Sequence, residues 1–151
     1  MKSTISLAQY VKKRNGVPLG ASGSMRNMLF RAFGAPSFPV FWQYWNPIWG
    51  YYLSRNVMRP LSEFLPTSLA IVTTFLVSGA LHDIAVSIVK WRTVLFFTPW
   101  FGIMGLMVIV SKKSGVSYGQ FSWLVRALIN ASFVLVSLGV TYFMKTMYAY
   151  P

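Results

Sequence analysis

The chain's single histidine, His82, and one of its two acidic residues, Asp83, sit inside a stretch that otherwise reads as a membrane-spanning helix. From Phe64 to Leu81 there is no charge, and apolar residues resume from Ile84 to Val89. A charged side chain at the centre of a bilayer costs about 2.5–3.5 kcal/mol on insertion scales, so such groups face a bundle interior or a water-filled cavity. A neutral imidazole in that position can take a proton from a hydroxyl and later return it, the commonest general-base role in enzymes. The same residue can instead hydrogen-bond a neighbouring helix and do nothing more.

At 100° per residue, Thr67, Thr74, Ser78 and His82 fall within a sector of about 80° and form one polar stripe. Gly79 and Ala80 beside them permit close approach of another helix or of a substrate chain. Asp83 lies about 100° around the helix from His82, so the two are not placed as a catalytic pair. Hydration, or pairing with a basic residue elsewhere, is the expectation for Asp83.

The elements that must position these residues are helical and apolar. Of 151 residues, 55% are hydrophobic, 17% aromatic and only 11% charged, against about 25% charged in ordinary soluble domains. Three long blocks carry the apolar excess: 64–89, 93–111 and 127–144, the last with Asn130 inside it. Pro99, Gly102 and Gly105 predict a kink or a close helix contact in the second block. Residues 38–53 (FPVFWQYWNPIWGYYL) are rich in aromatics but interrupted by Gln43, Asn46 and Pro47. They fall short of the roughly 20 residues a spanning helix needs, which predicts a broken, re-entrant or interfacial helix.

Residues 1–24 are polar and basic, and Gly16, Pro18, Gly20 and Gly23 break any regular pattern, so they read as a cytoplasmic arm. Residues 25–33 (MRNMLFRAF) suit a short amphipathic interfacial helix with Arg26 and Arg31 towards head groups. The expected fold class is therefore all-α: a polytopic membrane bundle of about three spanning helices plus the aromatic element. A basic arm, 1–35, precedes the membrane-embedded domain, 36–151.

The net charge of +12 raises nucleic acid as a partner, but no nucleic-acid motif accompanies it. Eight of the fourteen basic residues precede the first long block. With three spans, those eight plus Lys112, Lys113 and Arg126 share one side of the membrane, while Lys90, Arg92 and Lys145 share the other. The positive-inside rule then places the N-terminus in the cytoplasm, in an inner or cytoplasmic membrane, with lipid head groups as partners. The absence of cysteine excludes disulfides and thiolate chemistry. One histidine and two acidic residues, Glu63 and Asp83, leave little from which to build a metal site.

Two segments together carry a resemblance: FWQYWN at 41–46 and SGALHD at 78–83. Aromatic residues ending in Asn46, then a small-residue step before a histidine deep in the next apolar helix, resemble the signature of the membrane-bound O-acyltransferase superfamily. The resemblance covers residues 36–90. It implies that His82 acts as general base on an acceptor hydroxyl, which then attacks an acyl thioester such as acyl-CoA. It also implies that Asn46 positions substrate or polarises the reacting group, with no cofactor beyond the thioester co-substrate. Trp42 and Trp45, with Ser78 and Thr74, are the candidate substrate-binding residues, and Trp49 is a further candidate for the acyl passage. The chain is shorter than typical members of that superfamily, so a homo-oligomer, a second membrane subunit or a non-catalytic role are the alternatives. In an enzyme, His82 and Asn46 should converge on one continuous cavity; in a structural subunit, large apolar side chains should fill that space.

Overall fold

The computed structural model describes residues 5–149, which form helices and connecting turns with no strand among them. Helix α1, Leu7–Asn15, lies in the segment expected to be irregular. Its start is a capping box: the Ser6 hydroxyl accepts from the Gln9 amide, and the Gln9 side chain accepts from the Ser6 amide. Gly16 ends it in the left-handed conformation, φ 80°, which L side chains adopt only with strain. Thus the glycines do not dissolve the arm; they bound a helix.

Helix α2, Ser24–Phe33, follows as the amphipathic pattern predicts. Arg31 does not point to solvent, however. Its guanidinium donates to the Arg14 carbonyl at 2.7 Å and lies over the Tyr44 ring. Asn27 donates to the Asn15 carbonyl. These donors satisfy the open carbonyls at the end of α1, a position where cations are also favoured by the helix dipole.

The aromatic segment divides into α3, Phe38–Tyr44, and α4, Pro47–Leu53. A π-helical turn, Ser54–Met58, continues α4 directly into α5, Arg59–Phe64. The break falls at Trp45 and Asn46: Asn46 takes φ 42° and ψ 70°, and its side chain caps the Trp49 amide at 3.2 Å. Pro47 then begins α4 at a position where its missing N–H costs no hydrogen bond.

Three longer helices complete the chain: α6, Thr67–Lys90; α7, Phe97–Lys113; and α8, Trp123–Ala149. Two are long and apolar enough to cross a membrane, Thr67–Lys90 and Trp123–Tyr148. The expected third span is shorter, with α7 reaching 17 residues. Its start is displaced from residue 93 to Phe97 because Asp83 on α6 gathers the amides of Phe96, Phe97 and Thr98. Pro99 consequently stands in the first turn of α7, where it needs no acceptor and produces no kink.

The contact between α6 and α7 depends on small residues. A Cβ on Gly79 would lie 2.5 Å from the Phe97 carbonyl oxygen and 2.7 Å from the Thr98 Cα. Gly102 and Gly105 face side chains instead of backbone, with a Cβ lying 2.8 Å from Leu76 Cδ2 and 3.0 Å from Phe75 Cβ. The main apolar core joins Ala32, Ala35, Phe38 and Phe41 to Met104 and Val108 of α7. Phe38 also stacks on Phe133 of α8 with ring centroids 4.6 Å apart. Leu81, Ile84 and Ile88, by contrast, leave the outer face of α6 apolar and exposed.

Asn130 of α8 locks this assembly from within. It is fully buried, accepts from the Tyr118 hydroxyl at 2.5 Å and donates to the carbonyls of Phe33 and Ala35. Burial pushes the Tyr118 phenol up to about 12.

Candidate functional site

A cavity of about 510 Å³ opens between the aromatic helices and α6. It is lined by the candidate site residues read from sequence: Trp42, Trp45, Asn46 and Trp49 on one side, and Thr74, Ser78 and His82 on the other. Helical period puts the last three on one stripe of α6, while the break at Asn46 turns the two aromatic helices around the opposite wall. Thr67 begins the stripe but is exposed and lies outside the cavity. The π-helical turn contributes Ser54 and Met58 to the wall.

His82 stands against Phe97 and Phe101, with ring centroids 5.6 and 5.0 Å away, and Trp49 meets it edge-on at 6.1 Å. Its Nδ1 lies 2.7 Å from the Ser78 carbonyl oxygen. A carbonyl can only accept, so Nδ1 carries the proton in the neutral ring. The lone pair then resides on Nε2, which forms no hydrogen bond among the described residues. The imidazole is oriented by its own helix and presents a proton acceptor without a protein partner. That is the state a general base requires.

The polar neighbours are partly committed elsewhere. The Ser78 hydroxyl accepts the Trp49 indole N–H at 2.9 Å, and the Thr74 hydroxyl donates to the Ala70 carbonyl at 2.7 Å. The Asn46 Oδ1 caps α4, leaving its Nδ2 without an acceptor among the described residues. Trp45 stacks on Phe41 at 5.5 Å. The Trp42 indole N–H is buried and has no partner among the described residues. The site therefore combines one acceptor, His82 Nε2, with one uncommitted donor, Asn46 Nδ2, while the Trp42 indole N–H is shut away from the open space.

Among the described residues Asp83 meets backbone amides rather than a cation. It is 5% exposed and caps the start of α7 from the neighbouring helix. Its Oδ1 accepts from the amides of Phe96 and Phe97 at 2.9 and 2.8 Å, and its Oδ2 accepts from the Thr98 amide and hydroxyl at 2.8 and 2.6 Å. A carboxylate against unsatisfied amides at a helix start is stabilised by charge-assisted hydrogen bonds and the helix dipole together. The carboxylate thereby fixes the backbone of Phe97, one of the two phenylalanines that flank His82.

Other lining residues were not apparent from spacing. Tyr10 and Arg14 arrive from α1, and Lys112 from the last turn of α7. The capping box at Ser6 and Gln9 is a sequence signal for α1, but nothing local to it shows where α1 docks. Phe97 and Phe101 are four apart, a spacing that places both on one helix face.

No protein-family model, curated protein or solved structure matches the chain.

Proposed function

We propose that this chain is an integral membrane O-acyltransferase, moving an acyl group from a thioester such as acyl-CoA to a hydroxyl acceptor. The observation that carries the reading is His82: its Nδ1 is tied to the Ser78 carbonyl, and its Nε2 is free on a cavity shared with Asn46. In the reaction, Nε2 takes the acceptor proton as the hydroxyl oxygen attacks the thioester carbonyl carbon. The C–S bond then breaks, and the imidazolium returns the proton to the departing thiolate. The Asn46 Nδ2 suits the oxygen on which negative charge develops, because it has no acceptor to abandon among the described residues.

In the membrane, α6 and α8 span, and the shorter α7 packs between them as a third crossing. The broken aromatic element lies at the boundary, and the basic residues face the cytoplasm. Donor thioester enters from that basic side. The test is transfer of a radiolabelled acyl-CoA panel to candidate hydroxyl acceptors by the purified protein in lipid, beside His82→Ala and Asn46→Ala. Turnover that falls by at least about a hundredfold in His82→Ala is expected for loss of a general base. Equal turnover in folded wild-type and His82→Ala protein would overturn the reading.

One observation favours a second reading, a non-catalytic membrane subunit. Asn46 spends its Oδ1 on capping α4, and Ser78 spends its hydroxyl on Trp49, both structural uses. Under that reading no acyl-CoA is consumed, and a second membrane protein or a second copy covers the exposed apolar face of α6.

A further inference from the structure

One residue of α6, Ser78, holds two partners at once. Its hydroxyl accepts the Trp49 indole N–H at 2.9 Å, and its backbone carbonyl lies 2.7 Å from His82 Nδ1. Ser78 is only 3% exposed, so its oxygens meet protein rather than bulk water. On α4, Trp49 also holds Asn46: its backbone N–H donates to Asn46 Oδ1 at 3.2 Å. The indole meets the His82 ring edge-on, with planes at 89° and centroids 6.1 Å apart. Asn46, Trp49, Ser78 and His82 thus form one continuous chain of contacts between two walls of the cavity.

Among the described residues, the Trp49 indole makes the one hydrogen bond between α4 and α6, helices that the π-helical turn and α5 separate along the chain. The aromatic bridge from α3, Trp42 against Phe75 at 5.0 Å, is a ring contact without a hydrogen bond. A directional bond between buried partners fixes the placement of two elements more narrowly than a ring contact does.

We propose that Trp49 is a positioning residue that sets Asn46 against His82; its catalytic consequence rests on the acyltransferase reading. Both of its N–H donors are occupied inside the protein, so neither is offered to a substrate. The backbone N–H holds the Asn46 amide by its oxygen, which leaves Nδ2 as the free end. The indole N–H ties α4, and Asn46 with it, to the same residue that orients His82. Without the indole bond, Asn46 keeps its cap and His82 keeps its tautomer, but the two are no longer referred to one point. Misplacing reacting groups by about 1 Å costs up to about a hundredfold in rate.

Two variants cut the tie from either end. Trp49→Phe keeps an aromatic ring and deletes the donor; Ser78→Ala deletes the acceptor and leaves the carbonyl that binds His82. Placement is read without turnover. Because the chain has no cysteine, Tyr52→Cys on α4 and Ile88→Cys on α6, both at exposed positions, give one pair of spin labels in nanodiscs. The distance distribution between the labels should broaden or shift in Trp49→Phe and in Ser78→Ala alike. Without the labels, kcat should fall at least about tenfold in both, with KM for acyl-CoA and for the acceptor within about twofold of wild type. The double variant Trp49→Phe, Ser78→Ala leaves no buried hydroxyl unanswered, so it should melt nearer wild type than Trp49→Phe and yet stay as slow.

Distances unchanged in both variants would overturn the proposal, whatever the turnover. A raised KM for acyl-CoA at unchanged kcat would overturn it by making Trp49 a wall of the acyl passage. Recovery of kcat together with the melting temperature in the double variant would overturn it too, reducing Trp49 to a stabilising contact. Altered distances in both variants, with no turnover by wild type, would retain Trp49 as the residue that places Asn46 and reject the acyltransferase reading.

Discussion

Replacing Asp83 with alanine should destabilise the protein far more than removal of an ordinary helix cap. The change deletes both oxygens that hold Phe96, Phe97 and Thr98. Three amides lose their acceptor at a residue only 5% exposed. Each buried amide left without an acceptor costs about 1–3 kcal/mol, and water entering at the outermost brings the expected total to about 3–5 kcal/mol. A typical exposed cap is worth about 1 kcal/mol. Asp83→Asn should fall between, at about 1.5–3 kcal/mol, because one oxygen survives while an NH2 group confronts the Thr98 amide. Thermal melts in a fixed lipid or detergent are the assay: Asp83→Ala should melt about 10 °C or more below wild type. Glu63→Ala, at an exposed carboxylate, should stay within about 0.5 kcal/mol. The Asp83→Ala loss should also persist at high salt, since screening acts weakly on buried interactions. A melt of Asp83→Ala indistinguishable from wild type, or a loss abolished by salt, would refute the assignment of Asp83 as the cap of α7.

Three further outcomes follow from the geometry. In Gly79→Val the first added carbon already lies 2.5 Å from the Phe97 carbonyl oxygen; separating α6 from α7 should cost at least about 1–3 kcal/mol, read by thermal melts. Nitrogen-15 NMR of His82 at alkaline pH should show a protonated Nδ1 and an unprotonated Nε2, and Ser78→Ala should leave that pattern intact because the backbone carbonyl remains. Tyr118 holds its proton up to about 12 in the fold, above the unfolded value of about 10. Its contribution is therefore complete below pH of about 10 and is lost as pH rises towards 12, because the folded state then binds more protons than the unfolded one. The drop in melting temperature through this range should shrink in Tyr118→Phe.

The site was legible where helical period or chain direction fixed it. Thr74, Ser78 and His82 share a stripe because they are four residues apart, and Asn46 with Pro47 foretold a break in the aromatic segment. Cross-helix relations were not legible. The charge on Asp83 suggested water or a cation as its partner, whereas three backbone amides of α7 provide for it, and amides leave no mark in a sequence. The same contact explains why α7 begins at Phe97 while the apolar block begins earlier, and hence why α7 is short. Arg31 shows a related limit: amphipathic patterning placed it on the polar face of α2, but the end of α1 supplied a carbonyl closer than any head group. Gly16 interrupts the local pattern in the sequence, and with Ser6 and Gln9 it marks the boundaries of a helix.

The adjacent positions of His82 and Asp83 have a physical consequence for the proposed chemistry. Had the carboxylate faced the imidazole, it would stabilise the protonated ring and accept the hydrogen bond that now goes to the Ser78 carbonyl. With the two side chains about 100° apart on the helix, Asp83 is spent on α7 and His82 is left with a neutral partner. The carboxylate then acts on the site only through structure, by holding the start of α7, with Phe97, beside the ring. Nε2 consequently keeps its lone pair free of any partner among the described residues, on a residue that lines the cavity. A rigid helix pair and an uncommitted base thus arise from two neighbouring residues turned to different faces.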